Sequence, residues 1–170
     1  MCVMYAYALY VQGLSRDGFE VLRSLYAMST HSQRAQIYPG VPEYFDAKGR
    51  GMYHFLTGSA SWYVLTLLTQ AYGIRGEAGD LVLSPQLVKE EFGPKGEARA
   101  SLQFAGRKLS VVYLNPEKLD AGEYSIAALE ADGRPLEFMR AAKDQVRIPR
   151  HVIRSFSELT ELKVILGKKV

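Results

Sequence analysis

The spacing of hydrophobic and polar positions changes its period once along the chain. Residues 1–12 (MCVMYAYALYVQ) are apolar on nearly every side of a helical projection, a pattern that belongs to a helix inside a larger protein. Gly13 is placed to stop that helix. Ser15 reads as the N-cap of a second helix over residues 16–28, in which Phe19, Leu22 and Tyr26 recur at helical spacing, joined by Val21 and Leu25. A turn this short makes the two helices antiparallel neighbours. Residues 29–58 lose the period. Pro39, Gly40, Pro42, Gly49 and Gly51 punctuate them, and a loop of this length in a compact domain is often functional. A third helix is predicted over residues 59–72, with Trp62, Val64, Leu65, Leu67, Leu68 and Ala71 forming a broad apolar face and Gly73 ending it.

Beyond residue 78 the period is two. In 98–104, Ala98, Ala100, Leu102 and Phe104 share one face, and Arg99, Ser101 and Gln103 the other. Ala105-Gly106 separates this run from 108–114, where Leu109, Val111 and Tyr113 alternate again, so a hairpin is predicted. Segments 124–130 and 135–139 flank Asp132-Gly133, a favoured two-residue turn. Segments 145–148 and 162–166 add two more strands. The total of about seven or eight strands suffices for a small antiparallel sandwich. The expected class is therefore α+β: a helical part over residues 1–77, then an antiparallel β-sandwich over 78–170, with the junction at 76–80. Three helices, one apolar all round, cannot cover one another, and about 75 residues is near the size where a lone core is marginal. The helical part reads as a piece of a larger helical assembly, either a fragment or a chain that docks onto a partner or a second copy.

Composition narrows the function classes. Of the 170 residues, 48% are apolar and 23% charged, the balance of a globular protein rather than a disordered one. The net charge is +3 and the basic residues are dispersed, with no run longer than a pair such as Lys168-Lys169, so no footprint for nucleic acid is expected. Cys2 is the single cysteine, which excludes an intrachain disulfide and a cysteine zinc site within one chain. His31, His54 and His151 show no metal-ligand spacing. The apolar N-terminus lacks a basic n-region and a small-residue cleavage site, and is shorter than the roughly 20 residues that span a bilayer. The expectation is a cytoplasmic chain with no membrane partner.

Two constellations bear chemistry. Leu56-Thr57-Gly58-Ser59-Ala60-Ser61-Trp62 follows the glycine-punctuated loop and opens the third helix. Unpartnered N–H groups and a positive dipole end make such a terminus a phosphate binder. Gly58 admits close approach, Thr57, Ser59 and Ser61 bring hydroxyls, and the first turn has no Asp or Glu to neutralise the dipole. Lys48, Arg50 and His54 stand upstream to add positive charge. The alternative is an ordinary Thr or Ser N-cap before a core helix. The second constellation is Tyr38-Pro39-Gly40-Val41-Pro42-Glu43-Tyr44-Phe45, aromatics with a carboxylate on a stiff loop. It suits either a sugar, whose C–H faces stack on rings, or plain packing of the loop. Glu43 and Asp46 are the loop's acidic residues, and nothing in their spacing makes them a glycosidase pair. Gly58-Ser59-Ala60 does not fit the nucleophile-elbow pattern.

The runs Ile37-Tyr38-Pro39-Gly40-Val41-Pro42-Glu43-Tyr44-Phe45, Gly49-Arg50-Gly51-Met52-Tyr53, Leu56-Thr57-Gly58-Ser59-Ala60-Ser61-Trp62 and Gly79-Asp80-Leu81-Val82-Leu83-Ser84-Pro85 together closely resemble glycoside hydrolase family 94, the cellobiose phosphorylase family, formerly glycosyltransferase family 36. The wording is nearest to its 1,2-β-oligoglucan-phosphorylase-like members. The resemblance implies the last helices of an (α/α)6 barrel followed by a C-terminal jelly roll. It implies phosphorolysis of a β-glucoside with inversion to α-glucose 1-phosphate, an Asp general acid protonating the leaving oxygen while inorganic phosphate, the co-substrate, attacks the other face. No further cofactor is implied. The family's Thr-Gly pair that holds phosphate matches Thr57-Gly58, with Ser59 beside it, and Glu43, Tyr44 and Arg50 match loop residues near the sugar. The family's general acid and its phosphate-holding arginines and histidine lie upstream of the matched region, so no residue here takes the acid role and the chain alone is expected to be inactive. Two other readings stand beside this one. One is a chain of a split phosphorylase. The other is a non-catalytic carbohydrate-binding module, against which Phe92, Phe104, Tyr113, Tyr124, Phe138 and Phe156 fall mostly at inward-looking positions.

Overall fold

The computed structural model describes residues 2–37, 40–53, 55, 57–141 and 145–169. Tyr38, Pro39, His54 and Leu56, which figure in the two constellations, lie outside the described residues. The chain divides into two compact units, Met1–Ala71 and Tyr72–Val170. The first is helical apart from a short ribbon and the second is built on sheets, so the class is α+β. The junction read from the sequence, at 76–80, falls within the second unit.

The first unit opens with an antiparallel helix pair. Helix α1 (Cys2–Val11) ends in a left-handed Gly13, φ +78°. The Gly13 N–H bonds the Tyr10 carbonyl and the Leu14 N–H the Leu9 carbonyl, both at 2.9 Å, which is the Schellman arrangement that satisfies the last carbonyls of a helix. Helix α2 (Ser15–Thr30) follows at once. Ser15 is not its N-cap. The turn consumes Gly13 and Leu14, so the helix begins one residue early, with Leu14 at the cap position and no side-chain cap bond. The buried stripe of α2 also differs from the expected one. It runs through Ser15, Gly18, Leu22, Leu25 and Ser29, while Tyr26 is exposed and Phe19 half-buried. Close approach of α1 decides this: a Cβ at Gly18 would stand 2.7 Å from two ring carbons of the buried Tyr10, so small residues line the contact. Helix α1 is covered on one side only. Val3, Ala6, Leu9 and Tyr10 are buried, whereas Met4, Tyr5 and Val11 are exposed.

A single turn α3 (Ser32–Ala35) leads to the two-strand ribbon β1 (Tyr44–Phe45) and β2 (Gly51–Met52). Helix α4 (Gly58–Thr66) then packs on α1, with the Tyr7 and Trp62 rings edge to face at 5.4 Å. The third helix is predicted as one α-helix to residue 72, but it changes to a π turn over Leu67–Ala71. Thr66 and Thr69 bond back to the carbonyls of Trp62 and Leu65 at 2.7 and 2.8 Å, the back-bonding that disturbs helix ladders.

In the second unit, β3 (Ile74–Glu77), β4 (Asp80–Leu83), β9 (Met139–Arg140) and β10 (Val146–Ile148) form a sheet of order β3-β4-β10-β9, and β5 (Glu97–Phe104), β6 (Arg107–Leu114), β7 (Tyr124–Ala131), β8 (Arg134–Pro135) and β11 (Leu159–Lys168) one of order β5-β6-β11-β7-β8. A short helix α5 (Arg150–Ser155) precedes β11. Pairing is antiparallel except between β6 and β11, which run parallel in register Leu109↔Thr160. Ala105-Gly106 makes the expected tight turn, both residues at positive φ. Asp132-Gly133 does likewise, but the returning strand pairs only over Arg134–Pro135, with one more bond from the Leu136 N–H to the Leu129 carbonyl at 2.9 Å, instead of running to Met139. Met139 pairs with β10 in the other sheet. The core lies along alternate residues of the long strands, with Leu109, Val111, Tyr113, Thr160, Leu162, Val164 and Leu166 all buried. Of the six strand-region aromatics, only Tyr113 and Tyr124 are buried. Phe92, Phe104, Phe138 and Phe156 are half-exposed, which corrects the inward expectation. These four sit at strand ends or in loops, where alternation no longer assigns a face.

Candidate functional site

The β1–β2 ribbon is set by one carboxylate. Asp46 Oδ1 accepts the N–H groups of Lys48 and Arg50 at 2.8 and 2.9 Å, and the Asp46 N–H returns a bond to the Arg50 carbonyl at 3.0 Å. The Arg50 N–H bond, then the Lys48 N–H and the charges of both residues, hold the Asp46 carboxyl below its usual range, against a smaller opposing effect of desolvation. Asp46 is therefore a turn-builder. At the other end of the ribbon the Glu43 N–H bonds the carbonyls of Met52 and Tyr53 at 3.2 and 3.3 Å, which fixes where the Glu43 side chain begins.

That side chain reaches the third helix. Glu43 Oε2 accepts the Ser59 N–H at 3.2 Å. Thr57 is the N-cap of α4, in extended conformation, and its Oγ1 accepts the Ala60 N–H at 3.2 Å while donating to the Val41 carbonyl at 2.9 Å. Gly58 is exposed, and a Cβ there would meet only the two Glu43 carboxylate oxygens, at 3.9 and 4.0 Å. Ser59 is buried. The structure thus brings Glu43, Thr57, Gly58 and Ser59 together at one helix terminus. The first turn of α4 contains no acid, as the sequence shows, yet a carboxylate from 16 residues upstream accepts the Ser59 N–H and meets its positive end.

Tyr44 and Arg50 lie elsewhere on the ribbon. Both are exposed, and among the described residues neither side chain bonds the α4 terminus, nor does that of Lys48. Sequence reasoning missed Tyr53 and Phe55. They follow β2 directly and are 73% and 77% exposed, with Tyr53 in the left-handed region at φ +57°, a conformation that costs free energy for a non-glycine residue. The signal was present in the Met52-Tyr53 and Phe55 run but carried no face assignment. With Tyr44 they give the loop three exposed rings.

Among the described residues no group of three His, Cys, Asp or Glu side chains is placed to hold a metal ion, and no helix is long and apolar enough to cross a membrane. Neither a scan against protein-family models nor a search of curated proteins gives a match to this chain.

Proposed function

We propose that the chain is the C-terminal portion of an inverting β-glucoside phosphorylase, with terminal helices of an (α/α)6 barrel in the first unit and a jelly-roll-like sandwich in the second. One observation carries the reading. Two of the four runs that carry the family resemblance, 37–45 and 56–62, are joined at the N-terminus of α4 by the Thr57–Val41 and Glu43–Ser59 bonds. A helix terminus with a threonine cap and an exposed glycine is suited to one face of a phosphate ion. In this reading Thr57, Gly58 and Ser59 hold inorganic phosphate, the rings and charges of Tyr44 and Arg50 face the β-glucan, and the general acid is supplied from upstream of the matched region. Glu43 modulates the site: its carboxylate lies where an anion would bond, so phosphate must displace or share it.

Titration of the isotope-labelled chain with inorganic phosphate tests this. Weak, saturable shifts of the Gly58, Ser59 and Ala60 amides are expected. Glu43→Gln, which keeps an acceptor for Ser59 but removes the charge, strengthens binding by roughly fivefold, the effect of deleting one like charge at close range in a high dielectric. Incubation of the pure chain with β-1,2-gluco-oligosaccharides or cellobiose and phosphate yields no α-glucose 1-phosphate. Amides that stay still with phosphate, or product from the chain alone, overturn the proposal in this form. The exposed rings of Tyr44, Tyr53 and Phe55 favour, as a second reading, a non-catalytic carbohydrate-binding surface, for which calorimetry with the same oligosaccharides in phosphate-free buffer is the test.

A further inference from the structure

We propose that the second unit carries a separate site for a phosphorylated sugar, in a cleft of about 400 Å3 between the segment after β4 and the loop that follows β6. Phe92 and Pro94 give the cleft ring surfaces, Gly93, Gly96 and Asn115 its backbone walls, and Lys89 and Lys118 two ammonium groups. Its size is within the range of small-molecule sites.

The walls are cross-tied before any ligand arrives. The Gly93 N–H bonds the Glu97 carbonyl, the Gly96 N–H the Gly93 carbonyl and the Asn115 N–H the Gly96 carbonyl, each at 2.8 Å. The buried Asn115 amide clamps the facing loop at both ends of Leu119, donating to its carbonyl at 2.8 Å and accepting its N–H at 3.0 Å. Gly96 has φ +73°, and a Cβ there would lie 2.7 Å from the Asn115 carbonyl oxygen, so the two loops touch where only glycine fits. Lys118 is held at φ +55°, in the left-handed region, and strain of this kind persists only where surrounding structure enforces it. A pre-formed cleft spares the ligand the cost of ordering it.

Charge sets the ligand class. No carboxylate lines the cleft among the described residues. Of the acids near it in sequence, Glu91 accepts the Val88 N–H and Asp120 the N–H groups of Lys89 and Ala121, while the exposed Glu90 and Glu117 do not line it. No ion pair joins Lys89 or Lys118 to a carboxylate among the described residues. Two ammonium groups beside ring surfaces call for an anion with an apolar face. Lysine meets phosphate as a point charge without the bidentate geometry of arginine, and pyranose C–H faces stack on rings such as Phe92.

The test uses the isotope-labelled full chain and three probes: α-glucose 1-phosphate, glucose and inorganic phosphate. With α-glucose 1-phosphate, saturable shifts are expected at Phe92, Gly93, Gly96, Asn115 and Lys118, about tenfold tighter than with either of the other two. The Lys89→Gln, Lys118→Gln double variant, altered only at exposed positions, weakens that binding by about tenfold or more. No shift in the cleft, equal binding of phosphate alone, or a double variant with unchanged affinity overturns the proposal. The cleft shares no residue with the α4 terminus, so its amides and those of Gly58–Ala60 report the two sites separately.

Discussion

The two units handle their apolar side chains in opposite ways. In the sheet unit the long strands alternate and bury most of their apolar residues: among the described residues only Met139 and Leu159 are large hydrophobics left exposed there, with Phe92, Phe104, Phe138 and Phe156 half-exposed. The helical unit leaves eleven, from Met4, Tyr5 and Val11 on α1 to Val64 and Leu65 on α4. A strand with period two sends every apolar residue to one face, and one partner layer covers it. A helix that is apolar all round needs partners on several sides, and α1 has them on one. The sheet unit therefore satisfies its own hydrophobic demand, and the helical unit presents surface that its own residues do not cover.

The largest effect that would sharpen this comparison is in the sheet. Leu162→Ala, at a fully buried position in the central strand, is expected to destabilise by about 2–5 kcal/mol in urea unfolding, whereas Leu65→Ser on exposed α4 changes stability by under about 0.5 kcal/mol and lowers self-association in sedimentation. Comparable losses at the two positions would break the contrast. Next comes Gly18→Ala. Alanine is the better helix former by about 1 kcal/mol, yet the new Cβ meets the Tyr10 ring at 2.7 Å, and overpacking of this kind costs about 1–3 kcal/mol. A net loss in thermal stability is expected, and a gain would show that α1 and α2 are loosely packed. Thr57→Ala removes the cap of α4 and is expected to cost about 1 kcal/mol, read from the same melts. The smallest effect is on pH. Asp132 is held below its ordinary value by the Glu161 N–H, then by the Ser157 and Thr160 hydroxyls and the Arg134 charge, against some desolvation, and Asp46 is its counterpart in the helical unit. A depressed folded pKa gives stability that is full above the unfolded value, 3.8, and is lost as pH falls through the folded one. Both carboxylates are well solvated, so a shallow decline confined to the region below pH 3.8 is expected, reduced by Asp46→Asn and Asp132→Asn. Carboxyl titrations followed by NMR that fall at or above 3.8 would contradict it.

Much of the sheet unit was legible in the sequence because its determinants are local. The alternation of Ala98 to Phe104 and the Ala105-Gly106 turn lie next to one another, and the hairpin β5–β6 follows from them. Thr57 was legible as a cap for the same reason, its acceptor being three residues from the N–H it receives. What escaped reading depends on distant residues. The face of α2 is chosen by Tyr10, the departure of Met139 from β8 by its pairing with Arg147 in a second sheet, and the parallel pairing of β6 with β11 by the whole intervening chain. At the α4 terminus the hydroxyl and the glycine were visible, but the Glu43 carboxylate on the Ser59 N–H was not. The local pattern instead showed a first turn without acids. The rings of Tyr53 and Phe55 were visible as residues, but a loop has no period that assigns them a face.

The position of β11 carries a consequence for synthesis. It lies between β6 and β7 and joins them, although it follows both in the chain. Leu109 meets Thr160 about 50 residues later, a separation that slows pairing. During translation the β5–β6 and β7–β8 ribbons emerge as two separate hairpins, each with an open edge reserved for a strand still inside the ribosome. Until Leu159–Lys168 is released, those edges are free to pair with other chains. A ribosome paused before that segment would hold the most aggregation-prone form this chain passes through, and chaperone demand should peak there.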